Sequence, residues 1–186
     1  PRIRYFSELN HGKPYAVNHA FSYSNGNLIA FLDDDDQWLP GKLALQVLFL
    51  NDNPEVDLIF GNYRNVDKAT NQEKDGFAQS AAGLASLQTA SASFNFKQIT
   101  GGWLENLAMD NFIAMDTVVL RKDLMEKTGK FNENLCCAED FEFWWRAGLA
   151  GYRFAYTDEI LLIRNKYPGG LSTSSVRTLT GTLHTL

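Results

Sequence analysis

The chain has 186 residues, a formal net charge of -5, 45% hydrophobic and 13% aromatic residues. That apolar content suffices for one globular domain with a sizeable core and excludes a disordered chain. The acidic balance provides no broad basic surface, which excludes a general nucleic-acid binder but leaves room for a local basic pocket.

In chain order, Ile3 to Leu9 is expected as a first strand, because Ile3, Tyr5 and Leu9 alternate with polar residues. Asn10-His11-Gly12-Lys13-Pro14 has turn composition, and Tyr15 to Ser24 carries Val17, Ala20 and Phe21 at helical spacing. Asn25-Gly26-Asn27 stops that helix and leads into Leu28-Ile29-Ala30-Phe31-Leu32, a run expected to be a central strand buried on both faces. A helix from about Pro40 to Leu50 and an apolar strand from Val56 to Phe60 follow. Strand, helix, strand, helix, strand predicts an α/β fold with a mostly parallel sheet. Asn65 to Gly76 reads as a loop or solvated edge hairpin, and Gln79 to Ser93 as a loosely packed helix. Ile113 to Leu120 predicts a strand, Arg121 to Thr128 a short helix closed by Gly129, and Phe154–Asp158 and Ile160–Ile163 two short extended segments. The cysteines Cys136 and Cys137 are adjacent, which suits neither a disulfide framework nor a zinc site and predicts reduced thiols in a cytoplasmic protein. No apolar run approaches membrane-spanning length. The chain opens at Pro1 without a methionine and enters directly into a strand-like stretch, the expected look of a fragment.

Two constellations carry chemistry. The first is Asp33-Asp34-Asp35-Asp36, directly after an apolar strand. Two carboxylates ~6 Å apart repel by roughly 3 kcal/mol at an effective dielectric of ~20, so the cluster needs a cation or open water. Strand C-terminal ends are where ligands collect in open α/β sheets, and oxygen-only ligands favour Mg²⁺ or Mn²⁺. The alternative is an acidic approach to the helix after Pro40, which suits the helix dipole. The second is Ala138-Glu139-Asp140-Phe141-Glu142-Phe143-Trp144-Trp145-Arg146. A first-turn carboxylate at Asp140 beside aromatics is a candidate general base, or an ordinary acidic helix start; Glu139 and Glu142 fit the latter. The aromatics fit a core better than a sugar platform. Arg164, Lys166 and Arg177 either meet a phosphate or are surface charge.

The segment Gly26 to Leu43, with its four aspartates, closely resembles the Asp-x-Asp region of family 2 glycosyltransferases. Gly129 to Leu135 with Ala138 to Arg146 resembles that family's Glu-Asp segment, and Asn10 to Lys13 with Ala16-Val17-Asn18 resembles its loop and helix before the metal strand. The likeness covers most of residues 2 to 175. It implies a GT-A fold, a three-layer α/β/α sandwich, and transfer of a sugar from a nucleotide-diphosphate donor to an acceptor hydroxyl with inversion. By resemblance Asp33 and Asp35 match the metal-binding pair, with Asp35 coordinating the Mn²⁺ or Mg²⁺ and Asp33 or Asp34 reaching the ribose or a metal-bound water. Asp140 matches the base; Lys13, Asn18, Arg164 and Lys166 are implied on the donor. The family usually has a nucleotide-binding strand and loop ahead of the position of Pro1. Many members have arginine where Val17 stands, a charge Lys13 is expected to supply, and a histidine after the arginine matching Arg164, where Asn165 and Lys166 stand. The reading is therefore a hexosyltransferase-type enzyme of surface polysaccharide or glycan synthesis, acting on a saccharide or lipid-linked saccharide at the inner face of a membrane. A sugar nucleotidyltransferase and a non-catalytic nucleotide-sugar-binding module are the alternatives.

Overall fold

The computed structural model describes residues 2–169, so Arg177 lies outside them. Its elements are α1 (Lys13–Ser22), β1 (Leu28–Ala30), β2 (Gln37–Trp38), α2 (Lys42–Asp52), β3 (Leu58–Asp67), β4 (Glu73–Asp75), α3 (Gly76–Gln79) and α4 (Ala81–Ala85). They continue with β5 (Gln88–Ser91), β6 (Phe96–Gly101), α5 (Trp103–Met109), β7 (Val119–Arg121), α6 (Lys122–Thr128), α7 (Glu139–Leu149) and β8 (Phe154–Lys166). The strands form one sheet in the order β1-β7-β3-β8-β6-β5, with β2 added to β8 and β4 to β3.

Side-chain alternation sets the layers. Leu58, Phe60, Leu120, Phe154 and Tyr156 face one side of the sheet and pack with Phe143, Trp144 and Ala147 of α7. Ile59, Val119 and Ala155 face the other side and pack with Phe49 and Leu50 of α2. Helices therefore cover both faces, the expected α/β/α sandwich. The aromatics of α7 are core, as their spacing predicts: Phe143 and Trp144 are fully buried.

The sheet itself is mixed rather than mostly parallel. β3 and β8 run parallel, whereas β1–β7, β3–β7 and β6–β8 are antiparallel. The cause is β7, inserted between β1 and β3 and running against both. β1 is correspondingly no central strand: β7 is its one described partner, and its residues are only half-buried. Ile3 to Leu9 forms no strand, and Ile3, Tyr5 and Leu9 are exposed. Asn65 to Gly76 is an edge hairpin, as β4 pairs back on β3. The two extended segments expected over 154–163 are a single strand. Between the pairs Gly61–Thr157 and Asn62–Ile160 the register slips, so Asp158 and Glu159 bulge out where they break the apolar pattern. Gly61 suits that crowded point, since a Cβ there would stand 2.4 Å from Leu161 Cδ1.

Candidate functional site

Strand direction decides where the chemistry gathers. β1, β3 and β8 point the same way, so the chain leaving each arrives at one edge of the sheet. α1 and α7 each run back before feeding β1 and β8, which brings Lys13 and Glu139-Asp140 to that same edge. Because β7 runs the opposite way, residues just before it also start there; Asp116 is among them.

The acidic loop is a tight turn, with the Asp36 amide donating to the Asp33 carbonyl at 3.2 Å. Its start is held by Asp116, whose Oδ1 accepts the Asp33 amide at 2.8 Å. Its middle is held by Asn165: the Asn165 amide donates to Asp36 Oδ1 at 2.9 Å, and its side chain to the Asp35 carbonyl. At the end of the loop, Trp38 Nε1 donates to the Asp116 carbonyl at 2.8 Å. The side chains of Asp34 and Asp35 are left facing solvent.

Below this loop lies a set of charges, half-buried at Lys13 and Asp33 and buried at Asp116 and Lys42. Lys13 Nζ pairs with Asp33 Oδ2 at 2.5 Å. Burial works against the Lys13 charge, but Asp33, Asp116 and Glu139 outweigh it and raise its pKa. Asp116 is 4% exposed, and burial, reinforced by the neighbouring Asp33, pushes its carboxyl up to about 7. Lys42 is 2% exposed, with its Nζ 4.5 Å from the Trp38 ring centroid and without a hydrogen-bond partner; burial pulls it down to about 7. Asp116 and Lys42 were not expected from sequence. The one sign of Asp116 was an acid inside the apolar run Ile113 to Leu120.

The second constellation reaches this floor from α7. Glu139 is buried, and that burial, with Asp140 beside it, raises its pKa; Lys13 and Asp33 also act on it. It is thus a buried acid in the first turn of α7 rather than a solvated one. Asp140 is half-buried, with Oδ1 accepting the amide of Phe141 at 2.7 Å. Ala138, the residue before the helix, has φ 60, a left-handed conformation that turns the chain sharply into α7. Across from Asp140, Tyr63 is buried, its pKa raised by that burial, with Arg164 above its ring and the charges of Asp110 and Asp140 in reach. Arg164 also acts on Asp36. Lys166 is lowered by burial and by the adjacent cations Arg164 and Lys74, so a small basic cluster borders the acidic loop. Asn18 plays a structural part: its amide donates to the Phe131 carbonyl and to Glu133 Oε1, both at 2.8 Å, and its oxygen accepts the Phe131 amide. It fastens α1 to the segment leading into α7.

The donor set suits a hard divalent cation. Among the described residues no three acidic, histidine or cysteine side chains converge into a protein cage. Mg²⁺ and Mn²⁺ at phosphate sites need none, since one or two carboxylates and the substrate's oxygens complete the shell. Asp35, exposed on a clamped turn, and Asp33 offer such oxygens.

The family described as "Glycosyl transferase family 2" matches residues 1–113, more than half of the chain. The chain belongs to glycosyl transferase family 2. It is 25% identical over 156 residues to the uncharacterized glycosyltransferase MJ1057 of Methanocaldococcus jannaschii, covering 84% of this chain and 48% of that protein. It is 36% identical over 61 residues to the Escherichia coli UDP-Glc:alpha-D-GlcNAc-diphosphoundecaprenol beta-1,3-glucosyltransferase WfgD, covering 33% of this chain and 24% of that one. The structure of S. aureus TarS 1–349 in complex with UDP-GlcNAc matches with a TM-score of 0.61 at 20% identity, over 88% of this chain and 42% of that chain. GalNAc-T7 with UDP, GalNAc and Mn²⁺ matches at 0.60 and 12%, over 96% and 35%. At these identities the structural likeness shows the fold, which is GT-A. The chain spans about half or less of the length of these relatives.

Proposed function

We propose that this family 2 chain transfers a hexose from a UDP-sugar to a hydroxyl of a saccharide or lipid-linked saccharide, with inversion and with a divalent cation on the acidic loop. The observation that carries the reading is the meeting of the two acidic constellations at one sheet edge, where Lys13 pairs with Asp33 and Glu139 reaches both. UDP is the nucleotide bound in the TarS and GalNAc-T7 structures, and the lipid-diphosphate acceptor class is suggested by the name of WfgD. That acceptor class favours work at the inner face of a membrane in polysaccharide synthesis. No described helix is long and apolar enough to cross a membrane.

The chemistry follows from residue types. Breaking the sugar–diphosphate bond builds negative charge on the leaving phosphate, which a cation held by Asp35 and Asp33 stabilises when bound. Arg164, whose charge acts on Asp36, and the neighbouring Lys166 are the phosphate contacts of this reading. Asp140 takes the proton from the attacking hydroxyl, because an alcohol is a poor nucleophile until a carboxylate begins to remove it. Attack from the face opposite the leaving group inverts the anomeric carbon. Lys13 neutralises Asp33 and keeps the strand end from expelling the diphosphate.

The test is a UDP titration of the full-length protein with Mn²⁺ and with EDTA, followed by UDP release from a panel of UDP-sugars. The reading predicts cation-dependent binding and slow hydrolysis of at least one sugar. Equal affinity in both conditions removes the metal role. Binding without turnover against every donor and acceptor favours a non-catalytic binding module, and release of inorganic diphosphate from a nucleoside triphosphate a nucleotidyltransferase.

A further inference from the structure

Asp116 sits under the acidic loop, on the short 3-10 turn before β7, and its carboxylate is almost completely enclosed. Such a group costs folding energy unless its charge and lone pairs are used. Here they are used on the loop. Its Oδ1 takes the amide of Asp33, the first loop residue, and its carbonyl takes the indole N–H of Trp38, just past the last. The next residue is anchored too: the Thr117 carbonyl accepts Gln46 Nε2 at 2.8 Å from α2, and the Thr117 hydroxyl donates to the Ala114 carbonyl at 2.7 Å. The 3-10 turn is therefore a rigid peg between α2 and the sheet. The charge of Lys13 favours the ionised Asp116 carboxylate.

We infer that Asp116 is a positioning residue, clamping both ends of the Asp33–Asp36 turn so that Asp35 is presented at a fixed place. The inference rests on the proposed cation-assisted reading of that loop. A clamp on the amide of one ligand residue and on the indole of Trp38, just beyond the turn in β2, removes the turn's freedom to collapse on itself, where four carboxylates repel. Groups of this kind around metal ligands are worth about 10–100-fold in metal affinity. A residue that only stabilised the fold would lower the melting temperature and weaken UDP binding equally with and without the cation.

The experiment uses the full-length protein, UDP and Mn²⁺, with calorimetric titrations in Mn²⁺ and in EDTA beside thermal melts. Asp116→Ala removes the acceptor of the Asp33 amide, and we expect Mn²⁺-dependent UDP affinity to fall about 10–100-fold while affinity in EDTA is unchanged. Asp116→Asn keeps an acceptor oxygen and is expected to restore most of that loss. Trp38→Phe keeps a ring over Lys42, removes the indole donor, and is expected to lower the Mn²⁺-dependent affinity in the same direction. It carries the test if Asp116→Ala does not fold. Wild-type Mn²⁺ dependence in folded Asp116→Ala, or in Trp38→Phe where that variant stands in, overturns the inference. So does an Asp116→Asn protein as impaired as the alanine variant. Wild-type protein that binds UDP equally in Mn²⁺ and EDTA overturns the cation reading together with it.

Discussion

Asp35 and Asp36 are neighbours in sequence with different work. The Asp35 side chain is exposed at the turn, whereas the Asp36 carboxylate is tied to the Asn165 amide and burial raises its pKa. Asp35→Asn is expected to lower Mn²⁺-dependent UDP affinity by about tenfold or more, or ~1.4 kcal/mol, read by calorimetry. Asp36→Asn is expected to leave that dependence nearly intact and to cost on the order of 1 kcal/mol of stability through its weakened hydrogen bond. Lys42 gives a pH prediction. Its folded pKa of about 7 lies below the unfolded value of 10.5. Between those values the unfolded chain binds more protons, so this residue makes stability rise with pH across the window. Lys42→Met keeps the bulk and removes the proton. The wild type should gain stability relative to the variant from about pH 7 to 10, and the variant should be the more stable at pH 7. Parallel melting curves would contradict that assignment.

At the scale of elements, α7 is where pattern and structure agree best. Phe143, Trp144 and Ala147 fall at helical spacing and all are buried. The helix also depends on a residue that periodicity does not single out. A Cβ on Gly148 would stand 1.6 Å from Trp103 Cζ2, and that indole packs on Phe154 with ring centroids 4.3 Å apart. Gly148→Ala is expected to cost ~1–3 kcal/mol by urea unfolding, since the indole must leave its place. The acidic loop and the Glu-Asp segment were legible because each is a dense local signal. The position of β1 in the sheet is not legible in sequence because an apolar run reports hydrophobicity and not which of its edges is paired. β8 was split because Asp158-Glu159 breaks the period, and only the register with β3 reveals a bulge. Asp116 was hidden because its partners Asp33 and Trp38 are about eighty residues away.

Across the whole molecule, one sheet edge collects residues from α1, the acidic loop, the turn before β7, α7 and β8. Among the described residues the far side of β1 is unpaired, and a groove of about 510 Å³, lined by Val17, Phe21, Ile29 and Phe31 among others, runs from there to Lys13 and Asp33. Unpaired strand edges recruit other strands. We propose that a further strand of the full-length protein pairs there, as the family resemblance implies, and predict that residues 1–186 alone associate in a concentration-dependent way by sedimentation. A monomeric, cooperatively folding 1–186 chain that binds UDP tightly would contradict this.

The central claim is that the acidic loop binds the donor and Asp140 does the proton transfer. Its most direct test is the transfer rate of Asp140→Asn in the full-length protein, with UDP affinity in Mn²⁺ measured on the same sample. Asn keeps the shape and cannot take the proton. The predicted result is a folded protein with unchanged UDP affinity and transfer reduced about 10²–10⁴-fold, with Glu139→Gln costing less. Near-normal transfer by folded Asp140→Asn protein would contradict the account.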